Sequence, residues 1–173
     1  MNSSGIHAEQ KMDRHIRLSS EPQSARFANS IAPHLAAGDC LLLSGEVGAG
    51  KSFFARHVIR ARLAQLGRVE DIPSPTFTLV QTYELESCDI WHADLYRLTG
   101  PDEVYELGLE AAFETDICLV EWPDRLAELT PSTAITLAFD TLEGDARAVR
   151  ICWNDPRWDG ILLPIVKEYP IHE

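Results

Sequence analysis

The chain has 173 residues, 45% hydrophobic and 24% charged, with a formal net charge of −12 and a pI near 4.8. That length suits one domain with a full core, burying about 70% of the surface its unfolded chain exposes, and the composition is that of a soluble globular protein. The acidic balance excludes a surface built to hold nucleic acid unaided, because nonspecific affinity comes from cationic groups on phosphates; action on nucleic acid through a partner stays open.

In chain order, residues 1–14 are polar and charged, without the apolar stretch of a signal peptide, and are expected to form a flexible extension. His15 to Ser19 reads as a short edge strand. Ser20-Glu21-Pro22-Gln23 fits a capping box. Ala28, Ile31, Ala32 and Leu35 then share one helical face, and Gly38 suits the stop. Cys40 to Ser44 reads as a buried strand and Phe53 to Leu66 as a helix ending near Gly67, with a glycine-rich loop between them.

Pro73 to Thr78 is a proline-punctuated loop. Alternation through Phe77, Leu79, Gln81, Tyr83 and Leu85, a turn at Glu86 to Asp89, and a return strand from Ile90 to Tyr96 predict a β-hairpin. Pro101 to Leu107 and Leu109 to Phe113 read as short helices. Ile117 to Glu121 is an apolar run closed by an acid, the pattern of a central parallel strand delivering a carboxylate at its C-terminal end. Thr133 to Thr141 and Ala146 to Trp153 form a second hairpin around Glu143-Gly144-Asp145. Beyond Asp155 the residues are apolar but carry no period that places them. The expected fold is α/β: a P-loop NTPase-like three-layer sandwich over residues 15–155, its sheet mixed parallel and antiparallel because hairpins force antiparallel neighbours. Residues 156–173 are read as a C-terminal tail whose packing the sequence pattern does not decide.

The loop, Gly45-Glu46-Val47-Gly48-Ala49-Gly50-Lys51-Ser52, is a complete phosphate-binding motif: glycine at the first and sixth positions, then lysine, then serine. Glycines let backbone N–H groups turn inward around phosphate oxygens. Lys51 reaches the β- and γ-phosphates as a point charge, and the Ser52 hydroxyl is a hard ligand for Mg²⁺. The helix that follows adds its dipole and free N–H groups. A nucleoside triphosphate site also needs metal ligands and a group to orient the attacking species. Glu121 stands where a Walker B acid stands, or is a solvated strand-end acid. Asp94, near the end of another strand, is either part of the site or an ion-pair partner of Arg97. Thr76 is either a γ-phosphate switch residue or a turn stabiliser, and Trp122 either core or a ring beside the nucleotide. His7, His15, His34, His57, His92 and His172 show no metal spacing and read as ordinary. Cys40, Cys88, Cys118 and Cys152 are far apart without a CxxC, which predicts free thiols in a reducing cytoplasm. No run approaches the length of a membrane span.

Five segments in order resemble one family: the loop, Ser74-Pro75-Thr76-Phe77-Thr78-Leu79, His92-Ala93-Asp94-Leu95-Tyr96-Arg97-Leu98, Glu103-Val104-Tyr105-Glu106-Leu107-Gly108-Leu109, and Cys118-Leu119-Val120-Glu121-Trp122. Together they are similar to the TsaE (YjeE) family, and the resemblance runs from about His15 to Trp153. It implies an ATPase required for threonylcarbamoyl modification of adenosine in tRNA, with ATP and Mg²⁺ as cofactors. Serine at Ser52 replaces the family's more usual threonine and keeps the hydroxyl. The resemblance implies that Lys51 and the loop amides of Gly45, Glu46, Val47, Gly48, Ala49 and Gly50 hold phosphates. Ser52 and Glu121 would coordinate Mg²⁺, Asp94 would help place the hydrolytic water, and Trp122 would lie near the nucleotide. Ser20 and Pro22 would border adenine, with Arg147 closing the other side. The implied partners are a TsaD-type transferase and its TsaB-type paralogue, with tRNA reached only through them.

Three rival readings follow from the loop alone. A small-molecule kinase normally carries an arginine-rich lid, and no such segment follows Trp122. A GTPase-type switch lacks support because no Asn-Lys-x-Asp motif exists in the chain. A nucleotide-dependent binding module with negligible hydrolysis is not separated from a slow ATPase by sequence.

Overall fold

A computed structural model describes residues 11–173 of the chain. Its strands are β1 (Met12–Leu18), β2 (Cys40–Ser44), β3 (Val80–Glu84), β4 (Asp89–Asp94), β5 (Ile117–Glu121), β6 (Ile135–Thr141) and β7 (Arg147–Trp153). Its α-helices are α1 (Glu21–Ile31), α2 (Lys51–Gln65), α3 (Pro101–Glu106), α4 (Leu109–Thr115) and α5 (Asp159–Val166). The strands form one sheet in the order β1-β7-β6-β2-β5-β4-β3. The middle four strands run parallel, and the hairpins β6–β7 and β3–β4, with β1 on β7, add antiparallel edges. The fold is the mixed α/β sandwich expected.

The central strands are apolar on both faces because both are covered. Leu41 and Leu43 of β2 point into a core with Phe27 and Ile31 of α1, Phe54 and Val58 of α2 and Leu162 of α5. Cys40 and Leu42 point the other way, against Val104 of α3, Leu109 and Ala112 of α4, and Leu126. Period-two alternation within five residues thus divides β2 between two cores.

Some boundaries differ from the sequence reading. Residues 1–10 of the expected extension lie outside the described residues, but Met12 to Arg14 already belong to β1, paired with Trp153, Cys152 and Ile151. Helix α1 stops at Ile31 and tightens into a 3₁₀ turn over Ala32–His34, where Pro33 cannot continue the α-helical ladder, so Leu35 reaches the core beyond the helix. Phe77 does not start the β3 alternation: it is 85% exposed, in a turn closed by Leu79 N–H donating to Pro75 C=O at 2.7 Å.

Residues beyond Asp155 pack into the same core as α1. Trp158, Leu162, Val166 and Tyr169 are buried there, and the Tyr169 ring meets Phe27 edge-on at 5.7 Å. Arg157 donates to both carboxylate oxygens of Asp39, at 2.8 and 2.6 Å, anchoring this segment at the start of β2. All four cysteines are free, and burial pushes the Cys118 thiol up to about 12. Among the described residues no helix is long and apolar enough to cross a membrane.

Candidate functional site

The C-terminal ends of β2, β4 and β5 lie at one sheet edge. Register pairs Asp94 with Glu121 and Leu43 with Glu121, so both acids arrive beside the loop that leaves β2. Open parallel sheets bind ligands at this edge.

Glycine is required at two places in the loop. Gly45 has φ 137°, and a Cβ there would stand 2.5 Å from the Phe139 carbonyl oxygen. Gly50 has φ 114° and immediately precedes α2. The helix begins at Lys51, two residues before the expected Phe53, so Lys51 and Ser52 stand in its first turn. Gly45, Glu46 and Ala49 shape the loop: Ala49 is buried and its N–H donates to Glu46 C=O at 3.1 Å. Val47, Gly48, Gly50, Lys51 and Ser52 line a cavity of about 480 Å³, within the ordinary range for small-molecule sites.

Lys51 is buried, its ammonium donating to the carbonyls of Gly45 and of Glu46 (2.9 Å) and lying 4.3 Å over the Trp122 ring. Burial lowers the Lys51 pKa from its ordinary value, and the carboxylates of Glu121, Asp94 and Glu46 oppose that shift. The Ser52 hydroxyl donates to Glu121 Oε1 at 2.7 Å. Glu121 is not a solvated strand-end acid: it is 2% exposed, and its Oε2 contacts His92 Nε2 at 2.7 Å.

Asp94, also buried, accepts from the Tyr96 N–H at 3.0 Å and, at 3.5 Å, from the Thr76 hydroxyl, which in turn lies 2.7 Å from Ser74 Oγ. Arg97 is not its partner; that guanidinium donates to the Phe77 carbonyl at 2.7 Å. Asp94 and Thr76 line the same cavity as Lys51. Trp122 has φ 57°, a left-handed conformation uncommon for a bulky side chain. Its ring is half-buried, packs beside Tyr96 at 4.9 Å and lines the cavity, so it serves core and pocket together.

Arg147 lines the far wall, but its donors go to the loop itself: Nε to Ala49 C=O at 3.0 Å and a terminal nitrogen to Gly48 C=O at 3.3 Å. On the α1 side, the lining residues are Glu21 and Ser24 rather than Ser20 and Pro22. Ser20 is the helix N-cap, its hydroxyl accepting from Gln23 N–H at 3.3 Å, and Pro22 is exposed. Residues three apart share a helical face, which pairs Glu21 with Ser24. The first arginine after Trp122, Arg125, pairs with Asp124 and reaches the Tyr96 carbonyl rather than the cavity.

His92 escaped the sequence reading. Histidine in an apolar strand is ordinarily a satisfied core residue, and the available signal was that His92 and Asp94, two apart on β4, share a face. The donor set suits a hard cation: a serine hydroxyl and a carboxylate in contact, with a second carboxylate in register beside them. Among the described residues no group of three or more His, Cys, Asp or Glu is placed to hold a metal alone. Mg²⁺ sites typically use one or two carboxylates and complete the shell with water and substrate phosphates.

Comparison with known proteins bears on the family and the fold. The family model described as "Threonylcarbamoyl adenosine biosynthesis protein TsaE" matches residues 18–149. The tRNA threonylcarbamoyladenosine biosynthesis protein TsaE of Rickettsia bellii is 38% identical over 142 residues, 82% of this chain and 96% of that protein. The protein of the same name from Bacillus subtilis is 33% identical over 113 residues, 65% and 68% of the two chains. The crystal structure of Bacillus subtilus YdiB superposes with a TM-score of 0.68 at 22% identity, covering 92% of this chain and 97% of that one.

Proposed function

Since the chain belongs to the TsaE family, whose proteins act in tRNA threonylcarbamoyladenosine biosynthesis, we propose that it is the Mg²⁺-dependent ATP hydrolase of that process. The observation that carries this reading is the convergence of Lys51, the Ser52–Glu121 pair and Asp94 on one cavity at one sheet edge.

In this reading Lys51 and the inward N–H groups of the loop hold the phosphate oxygens, assisted by the α2 N-terminus. Ser52 and Glu121 hold Mg²⁺, which when bound neutralises charge developing on the phosphate oxygens. Asp94 orients the attacking water; its Oδ1 is anchored by the Tyr96 N–H, so the carboxylate needs little reorganisation. Trp122 and Tyr96 pack together as an aromatic wall of the cavity beside Lys51. Glu21 and Ser24 on one side and Arg147 on the other stand where the nucleoside leaves the loop.

Hydrolysis acts through partners. With a net charge of −12 the chain has little means of holding tRNA itself. It works in the cytoplasm with a TsaD-type transferase and a TsaB-type paralogue, docking according to the bound nucleotide. The Ser74 to Thr78 turn is suited to sense the γ-phosphate, because Thr76 bridges it to Asp94. The test is ATP hydrolysis by this protein alone, with the two partners, and with tRNA added. The expected result is slow turnover alone, stimulation in the complex, and multiple rounds of modification only when hydrolysis proceeds. Full multiple-turnover modification in its absence, or submicromolar binding of bare tRNA at physiological salt, overturns the reading.

A further inference from the structure

His92 is fully buried and its Nε2 lies 2.7 Å from Glu121 Oε2. The two side chains meet diagonally: Asp94, two residues after His92 on β4, is the register partner of Glu121 on β5. The other carboxylate oxygen, Oε1, accepts from Ser52 Oγ at 2.7 Å. Each oxygen of Glu121 therefore has its own partner, one from β4 and one from α2. The second ring nitrogen, Nδ1, is buried with no hydrogen-bond partner. A carboxylate oxygen accepts, so the 2.7 Å contact is read as Nε2–H donating to Glu121 Oε2.

We infer that His92 is a positioning residue for Glu121: its Nε2–H holds Oε2 and thereby turns Oε1 toward Ser52 and the mouth of the phosphate loop. This rests on the proposed reading of Ser52 and Glu121 as the Mg²⁺ ligands. A strand-end glutamate has free side-chain torsions, and those two ligands come from segments 69 positions apart in sequence. A hydrogen bond at Oε2 fixes the carboxylate without occupying the oxygen that faces the serine. Ligating carboxylates are commonly held in this way, and loss of such a partner costs about 10–100-fold in metal affinity.

Three variants of the full chain separate positioning from a purely structural role. The Gln amide of His92→Gln reaches about where Nε2 stands; the Asn amide of His92→Asn stops short; His92→Leu has no donor. ADP and ATP are titrated calorimetrically into each, in Mg²⁺ and in EDTA, with thermal melting as the control for folding. The expected result is unchanged affinity in EDTA for every folded variant. The Mg²⁺ enhancement should fall about 10–100-fold in His92→Asn and His92→Leu and be largely retained in His92→Gln. A folded His92→Asn or His92→Leu with the full Mg²⁺ enhancement overturns the inference, as does equal loss of affinity with and without Mg²⁺. Should His92→Leu fail to fold, the two amide variants decide; failure of all three makes His92 a fold determinant and also overturns it. A wild-type protein indifferent to Mg²⁺ defeats the metal-site reading itself, which shows before any variant is compared.

Discussion

The Ser52 hydroxyl donates to Glu121 Oε1 at 2.7 Å, joining the first turn of α2 to the last residue of β5. The contact exists because β2 and β5 are parallel neighbours and the loop carries the chain from the end of one back over the end of the other. It unites the residue that closes the phosphate-loop motif with the acid that closes the apolar strand.

Lys51→Ala is expected to weaken ATP binding strongly, since it removes the one side-chain cation in the loop. Glu121→Ala is expected to lower hydrolysis through the metal, with the loss only partly relieved by excess Mg²⁺. Calorimetric titration and steady-state hydrolysis measure the two effects. An unchanged ATP affinity in Lys51→Ala would refute the phosphate-site assignment.

Asp94→Asn is expected to fold and to bind ATP while turnover falls by about 10²–10⁴-fold. The fold should survive because an Asn Oδ1 still accepts from the Tyr96 N–H, the 3.0 Å bond that orients this side chain. Melting temperature, ATP affinity and single-turnover hydrolysis are measured together. A variant that melts early but keeps its activity per folded molecule makes Asp94 a structural partner instead.

Trp122 is expected to report nucleotide. Its ring lies beside the Lys51 ammonium, 4.3 Å from it, and lines the cavity, so phosphates that draw Lys51 away change the ring's surroundings. Emission should shift on adding ADP or ATP. The chain has four tryptophans, so Trp122→Phe is the control. A response undiminished in that variant would assign the signal to another ring.

The parts of the site that were legible in sequence obey local rules. Glycines at Gly45 and Gly50 mark conformations other residues avoid, and the run Ile117 to Glu121 announces a buried strand ending in an acid. His92 was not legible because its partner lies diagonally on a neighbouring strand, and strand order is a tertiary fact. On α1 the cavity is lined by Glu21 and Ser24, while Ser20 spends its hydroxyl on the helix cap, a division between neighbouring positions that the capping pattern alone does not reveal. Strand β1 begins earlier than expected because its polar residues include Asp13, which pairs across the sheet edge with Arg150 at 2.6 Å and reads in sequence as solvated chain. The segment after Asp155 was hidden because α5 is short, nearly all apolar and carries Pro164 inside it, which leaves no helical period to detect.

That last segment yields the stability prediction. Leu162 is fully buried in the core that holds Phe27 and Phe54, and the segment is tied to β2 by the bidentate Arg157–Asp39 pair. Leu162→Ala removes packed methyl groups and leaves a cavity, so it should destabilise the protein by about 2–5 kcal/mol. Arg157→Ala leaves Asp39 buried without its guanidinium partner, although the Ala36 N–H still donates to Asp39 Oδ2 at 2.7 Å. Its cost should therefore be real but smaller than that of Leu162→Ala. Urea unfolding followed by circular dichroism measures both. The two changes should be close to additive only if Leu162 and Arg157 act on separate parts of the segment; a double variant no worse than Leu162→Ala alone would show that losing the core contact already releases the segment from β2. A Leu162→Ala protein as stable as the wild type would mean that the residues after Asp155 contribute nothing to the core in solution.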